Sequence, residues 1–224
     1  MTGVQTCALP ILSWLSRLKI ARGNQPPLSA EAERALEAWH ALAESAHEQP
    51  HFESRYVVLN TEATGLDLER DRLLAVGAIA IDGGLLHPRD AYHAQLEPSP
   101  GDALAGLLAF VGRSPLVVFN ATFNRTILER AFVKQLGFTP EFLWIDLYFL
   151  LPSLFPERLE RPGRLADWMA AFEIETFQRH HALGDAWAIA QLFLAAQSRA
   201  LSLAVTSPRA LAEHAQAYRQ KIKV

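Results

Sequence analysis

The sequence contains a single cysteine, Cys7, among 224 residues. One thiol cannot form an intramolecular disulfide, and it excludes a zinc cluster built from cysteines. The sequence also lacks an apolar run of the roughly 18 residues that a transmembrane helix needs, so we expect no membrane partner. Basic charge is not in excess, because the formal net charge is −3. A nucleic-acid partner would therefore need a local basic patch or metal ions.

The overall composition is that of an ordinary soluble globular protein, and the order of its apolar runs predicts an α/β domain. Half of the residues are hydrophobic and one fifth are charged, which is an ordinary globular balance. Apolar runs at 55–60 and 72–81 and an alternating run at 90–96 predict three strands of a meander. The later apolar runs at 115–119 and 142–146 alternate with helical patterns. This order predicts a mixed sheet flanked by helices.

The chain divides into four segments. Residues 1–11, MTGVQTCALPI, resemble the translation of a common sequencing adapter, so we exclude them and Cys7 from fold reasoning. Residues 12–50 form a helical appendage, in which Ser29 is predicted to cap a helix over 29–47 that packs on the main domain or on a partner. Residues 51–203 form the main domain, and residues 204–224 form a C-terminal helix.

The first candidate site is NTEATGL, at the end of the first strand. Because side chains alternate along a strand, Asn60 and Glu62 point to the same side. Two acids there could hold hard divalent cations, but only Glu62 is charged. Gly65 permits the tight turn that follows. The alternative interpretation is a strand that ends in a polar turn.

Two later segments carry polar residues at the starts of helices. In FNATFN, residues 119–124, Asn124 follows a buried strand, and its alternative role is simple capping. In RHHALGDA, residues 179–186, His180 precedes Asp185 by five residues. A histidine there can act as general base on a water while the aspartate anchors a cation. Taken alone, a histidine at this position is more often a surface or capping residue.

Together the three segments resemble the motifs of the DEDDh family of 3′–5′ exonucleases, close to the epsilon proofreading subunit of bacterial DNA polymerase III. The family motifs D-x-E-T-T-G-L, H-N-A-x-F-D and H-x-A-x-x-D-A correspond to N-T-E-A-T-G-L at 60–66, F-N-A-T-F-N at 119–124 and H-H-A-L-G-D-A at 180–186. The resemblance covers residues 55–200, in matching order and spacing.

The resemblance implies a ribonuclease-H-like fold with a five-stranded mixed sheet. It also implies phosphodiester hydrolysis by two Mg²⁺ or Mn²⁺ ions, with Glu62 and Asp185 as ligands and His180 as general base. The implied partners are single-stranded or 3′-end DNA or RNA and a DNA polymerase, in the bacterial cytoplasm. The positions implied to contact nucleic acid are Thr64, Gly65, Leu66, Asn120 and Phe123.

The chain departs from the family at two metal-binding positions, where Asn60 and Asn124 replace aspartates. Two carboxylates cannot balance two dications, so we expect at most one bound cation and weakened or lost hydrolysis. Ala63 also replaces a threonine of the first motif. We therefore predict that restoring aspartate at both positions raises metal-dependent 3′ trimming by orders of magnitude.

Four alternatives stay open at this point. The chain could be an active exonuclease with substituted ligands, a non-catalytic nucleic-acid-binding module, or a protein-interaction domain that reuses the fold. Each aspartate-to-asparagine change also needs only one base change, so a sequencing error or an engineered change is a fourth interpretation. The first three can be distinguished by experiment. Release of mononucleotides would favour the active exonuclease, salt-sensitive binding of single strands the binding module, and association without nucleic acid the interaction domain.

Overall fold

Five strands form one mixed sheet in the order β3-β2-β1-β4-β5. The computed structural model describes residues 22–23, 25–176 and 181–222. β1 pairs antiparallel with β2 and parallel with β4, while β2–β3 is antiparallel and β4–β5 is parallel. The strands are β1 Arg55–Ala63, β2 Leu73–Asp82, β3 Leu85–Gln95, β4 Leu116–Val118 and β5 Trp144–Asp146. The predicted five-stranded mixed sheet flanked by helices is confirmed.

The described residues form seven α-helices and one short 3₁₀-helix, His51–Glu53. None of these helices combines the length and apolar character needed to cross a bilayer. The α-helices are α1 Ala30–His40, α2 Pro100–Val111, α3 Ala121–Leu136, α4 Leu147–Leu154, α5 Leu165–Ala171, α6 Ala182–Ser202 and α7 Pro208–Ile222.

Each face of the sheet is covered by its own hydrophobic core. Alternation along β1 sends Val57 and Leu59 into a core with α1, α2 and α3. The same alternation sends Tyr56 and Val58 into a second core with α4 to α7. The face that a β1 residue occupies therefore decides which helices it can meet.

The N-terminal helix α1 packs on the first face of the main domain. Leu36 and Trp39 are almost completely buried. The Trp39 indole donates a hydrogen bond to the Gly112 carbonyl at 2.7 Å, and the Arg113 guanidinium lies 3.8 Å from the Trp39 ring centroid. The sequence left open whether this helix packs on the main domain or on a partner. In the structure, α1 packs on the main domain.

The largest differences from the prediction are the end of α1, the start of β3 and one helix, α4, that was not predicted. α1 ends at His40 rather than at residue 47, because the following chain turns so that the His47 carbonyl accepts a hydrogen bond from Arg209 N at the start of α7. β3 begins at Leu85 because the ladder with β2 continues from the hairpin turn. α4 was not predicted, since its uniformly apolar sequence has no helical periodicity and contains Pro152.

Candidate functional site

The first-motif carboxylate meets the start of α6. β1 presents Glu62 on the same face as Tyr56 and Val58, which is the face that α6 covers. The Glu62 carboxylate accepts a hydrogen bond from the Ala182 backbone N–H, in the first turn of this 21-residue helix. An acid is favoured there because the helix dipole and unpaired N–H groups are positive at this end. The first and third predicted motifs therefore lie together.

Asn60 and Asp185 belong to the same side of the sheet as Glu62. Asn60 is half-buried and lies two residues before Glu62 in a regular ladder, so both side chains point toward α6. Asp185 lies in the first turn of α6, three residues after Ala182, and is only 8% exposed. Three of the four predicted ligand positions are therefore placed around the meeting point of β1 and α6.

Two histidines that the sequence did not single out border this group. In the antiparallel ladders Gly77 pairs with Asn60 on one side and with His93 on the other, so His93 shares their face. Its ring stacks on His181, the N-cap of α6, with 4.8 Å between ring centroids. Burial and the neighbouring His181 lower the pKa of His93, while the nearby Glu62 acts in the opposite direction.

Asn124, the fourth predicted ligand position, is placed on the other face. It is 3% exposed and lies on α3. Its amide oxygen accepts hydrogen bonds from the Thr61 N–H at 3.2 Å and the Thr61 hydroxyl at 2.9 Å. Its amide nitrogen donates to the carbonyls of Phe119 at 2.9 Å and Asn120 at 3.1 Å. Both donors and both acceptor positions of the amide are thus used within the protein.

The turn of the first motif is organised by Asp71. The Thr64 hydroxyl donates to Asp71 Oδ1 at 2.6 Å, and Asp67 N donates to Asp71 Oδ2 at 2.7 Å. The Thr64 hydrogen bond is the main cause of the lowered pKa of Asp71. A Cβ on Gly65 would lie 2.5 Å from Asp71 Oδ2. A side chain at position 65 would therefore have to displace the Asp71 carboxylate, whereas the backbone itself does not need glycine, since Gly65 is not among the residues with positive φ.

The second-motif turn is held by a half-buried acid, Asp146, at the end of β5. Its carboxylate accepts hydrogen bonds from the N–H groups of Asn120 at 3.0 Å, Ala121 at 2.9 Å and Tyr148 at 3.0 Å. Burial raises the pKa of Asp146, and the three N–H donors oppose that rise. Asn120 adopts a left-handed conformation, with φ of 68°, and its side chain caps Phe123 N. Asp146 thus positions the start of α3.

Comparison with known proteins supports the resemblance to 3′–5′ exonucleases. No protein-family model matches the chain. It is 26% identical over 195 residues to the PolC-type DNA polymerase III of Thermotoga maritima, covering 77% of this chain but 14% of that protein. It is 27% identical over 179 residues to ribonuclease T of Haemophilus influenzae, covering 61% of this chain and 76% of that protein.

The fold agrees with that of a solved nuclease. Escherichia coli exonuclease I bound to a dA16 oligonucleotide aligns with a TM-score of 0.55 and 17% identity, covering 67% of this chain and 42% of that chain. Its complex with dT13 aligns with a TM-score of 0.51. The chain is thus similar in sequence and in fold to the DEDD-type 3′–5′ exonucleases. Because it spans 14% of the PolC-type polymerase, the activity of that whole polymerase does not transfer with the similarity.

The described residues offer few charged ligands for a metal ion. Within residues 22–23, 25–176 and 181–222, no three histidine, cysteine, aspartate or glutamate side chains are grouped so that they could hold a metal ion. The described donors therefore do not fit a two-ion centre made by protein ligands alone. Of the predicted ligands on this side of the sheet, Glu62 and Asp185 carry carboxylates and Asn60 carries an uncharged amide oxygen, which are ligand types that hard cations accept. His180, the predicted general base, lies outside the described residues.

Several residues that contact the predicted motifs escaped the sequence analysis because their roles depend on packing. Thr61, Gly77, His93 and Asp146 contact motif residues only once the strands are in register and the helices are docked. The alternating pattern of 90–96 was a usable signal for His93, since it predicted a strand with one face toward a neighbour. Asp146 carried no such signal, because a single aspartate after a short apolar run is common in turns.

Gly77 allows β2 and α6 to approach closely, and its replacement should loosen the site. A Cβ on Gly77 would lie 2.4 Å from both Ala182 C and Leu183 N, which are backbone atoms. We expect Gly77→Ala to displace the start of α6 and to lower the free energy of unfolding by about 1–3 kcal/mol in urea titrations.

The matched control for Gly77→Ala is Gly163→Ala. A Cβ on Gly163 meets no atom closer than 3.4 Å, so we expect a change within about 0.5 kcal/mol. Equal stability of the two variants would show that β2 and α6 can separate without loss.

Proposed function

We propose that this chain is a DEDD-type 3′–5′ exonuclease domain that holds the 3′ end of single-stranded DNA or RNA, with weakened or lost hydrolysis. The observation that supports it is the hydrogen bond from Ala182 N to Glu62, which joins the first-motif strand to the third-motif helix. By similarity to the bacterial relatives, we further propose a cytoplasmic location and a DNA polymerase as a partner.

In the proposed site, Glu62 and Asp185 hold one Mg²⁺ or Mn²⁺ ion, with Asn60 adding an uncharged oxygen. Glu62 keeps a fixed orientation because one carboxylate oxygen is bonded to Ala182 N. A bound cation supplies activation of the attacking water and stabilisation of the leaving oxygen. His180, which lies outside the described residues, would act as the general base that the resemblance implies.

The first-motif turn presents an apolar contact for the terminal nucleotide. Leu66 is 85% exposed, although leucine side chains are usually buried. The Thr64 and Asp71 hydrogen bonds fix the backbone below it. Leu66 is therefore a preset contact for a nucleobase, with Gly65 beside it. Asn120 and Phe123 are proposed to border the same end of the strand from the start of α3.

Weak hydrolysis follows from the missing charge. Each unit-charge pair about 4 Å apart is worth about 4 kcal/mol at an effective dielectric of ~20. Asn60, which lies on the face of Glu62, therefore removes such an attraction from each ion of a two-ion state. A non-catalytic binding module is the second candidate, and it is favoured by the structural use of the Asn124 amide.

Cation binding tests the proposed site without depending on turnover. In a calorimetric Mn²⁺ titration, we expect the unmodified protein to bind at most one ion, and Glu62→Gln and Asp185→Asn each to weaken that binding at least about tenfold. Glu69→Gln, an exposed residue of the same turn region, serves as the control and should bind Mn²⁺ as the parent does. Unchanged Mn²⁺ binding in Glu62→Gln would refute the site.

Nucleotide release tests the reaction. A 5′-labelled dT15 or rU15 strand should lose 3′ nucleotides slowly, only with Mg²⁺ or Mn²⁺, and not with Glu62→Gln. Fast release by the unmodified protein that His180→Ala abolishes would show that hydrolysis is not impaired. Association with a protein partner and no binding of either strand would instead favour an interaction domain.

A further inference from the structure

A groove of about 670 Å³ separates the first-motif turn from α3. We call it the basic groove. Its turn-side wall carries Arg70 and Arg72, and its helix-side wall carries Arg130 and Lys134. It lies on the α3 face of the sheet, beside Leu73, and is distinct from the place where Glu62 contacts the start of α6.

One stripe of α3 connects the second motif to the basic groove. Phe123, Ile127, Arg130 and Lys134 are spaced by four, three and four residues, so they follow one face of the helix. Phe123 belongs to the second motif, and the other three line the groove. At 1.5 Å per residue the stripe is about 16 Å long. A strand whose end lies at the motif turns can continue along this surface.

The charge of the basic groove contrasts with that of the whole chain. Four basic side chains line it together with three acids, Asp71, Glu97 and Glu129, whereas the chain has a formal net charge of −3. Two of these acids are already engaged, since Asp71 accepts hydrogen bonds within the turn and Glu129 is paired with Arg125 at 2.7 Å. Arg72 and Lys134 are exposed.

Arg130 joins the two walls of the groove. Its guanidinium donates to the Glu69 carbonyl at 2.8 Å, to the Asp71 carbonyl at 3.4 Å, and also to the Leu68 carbonyl. These bonds hold the first-motif turn against α3. Val133 is 53% exposed on the helix wall, so the groove combines an apolar contact with cationic side chains.

We propose that the basic groove binds the phosphodiester backbone of single-stranded nucleic acid on the 5′ side of the terminal nucleotide. This rests on the proposed function, because the strand's 3′ end must lie at the motif turns. Arg70, Arg72 and Lys134 contact phosphates, and Val133 contacts a base. Grooves that track a strand in this way bind with weak sequence preference and strong salt dependence.

The dependence of affinity on strand length tests the groove. Fluorescence anisotropy with labelled dT3 and dT15 in EDTA measures binding without metal-dependent cleavage. We expect the unmodified protein to bind dT15 at least about tenfold more tightly than dT3. The double variant Arg72→Gln/Lys134→Gln should lose most of that advantage and bind dT3 unchanged. Its salt slope for dT15 should fall by about 1.4, for two phosphate contacts on a single strand.

Arg89→Gln is the matched control, because Arg89 is exposed on the edge strand β3 and lies outside the groove. It should keep the full preference for dT15. The groove proposal would be overturned if the unmodified protein bound dT3 and dT15 equally, or if the double variant kept the preference for dT15. Binding of dT3 would still support the 3′-end site in either case. Absence of binding to either strand in EDTA would overturn the groove, and the Mn²⁺ titration and the nucleotide-release assay test the 3′-end site separately.

Discussion

Asn60→Asp is expected to increase Mn²⁺ affinity at least about 30-fold and to raise metal-dependent 3′ trimming by two orders of magnitude or more. The new carboxylate would share a face with Glu62 and Asp185, beside a helix start that favours negative charge. One unit-charge pair at ~4 Å is worth about 4 kcal/mol at a dielectric of ~20, and half of that corresponds to about 30-fold in affinity. Calorimetry and nucleotide release from labelled dT15 measure the two effects.

The control for this prediction is the same change in an Asp185→Asn background. The gain in Mn²⁺ affinity should disappear there if the new carboxylate acts together with Asp185. If Asn60→Asp left the Mn²⁺ affinity unchanged, the cation would not be held at the face of β1 beside α6.

Strand alternation was sufficient to predict the side on which the first motif lies. Asn60 and Glu62 are two residues apart in a regular ladder, so their common face depends only on local geometry. The five strands followed from short apolar runs for the same reason. The end of α1 could not be predicted in this way, because it depends on a hydrogen bond from Arg209, which lies 162 residues after His47 in the chain. The helix α4 could not be predicted either, because it forms in a buried position despite containing Pro152.

The second motif shows why a position in a motif does not define a ligand. Sequence spacing places Asn124 where a family aspartate stands, but spacing cannot specify the rotation of its side chain. That rotation depends on Thr61, which points to the α3 face because it lies between Asn60 and Glu62. The Asn124 amide accepts two hydrogen bonds from Thr61 and donates two to backbone carbonyls, whereas a carboxylate could only accept.

Restoring both aspartates together would break the hydrogen bonds that the Asn124 amide donates. The sequence alone predicts that Asn60→Asp with Asn124→Asp gives the largest gain in trimming. In the structure only the first of these changes adds charge beside Glu62, while the second removes two buried donors. We therefore expect the double variant to be less stable than Asn60→Asp alone, and its gain in activity to come from position 60.

Asn124→Asp alone is expected to lower the free energy of unfolding by about 3–5 kcal/mol near neutral pH. The carbonyls of Phe119 and Asn120 would lose their donors and face a carboxylate oxygen, in a position that is 3% exposed. Each unsatisfied buried group costs about 1–3 kcal/mol, and a buried charge adds to that cost. Typical domains have only about 5–15 kcal/mol in total, so urea unfolding would detect the change readily.

Asn120→Asp is the matched control for Asn124→Asp, because it makes the same chemical change four residues earlier. Asn120 is exposed and uses its side-chain oxygen to accept from Phe123 N. An aspartate keeps that acceptor at a helix start, so stability should change by less than about 1 kcal/mol. If Asn124→Asp kept the stability of the parent and bound Mn²⁺ more tightly, its side chain would have turned toward the cation, and the amide would not be the link between β1 and α3.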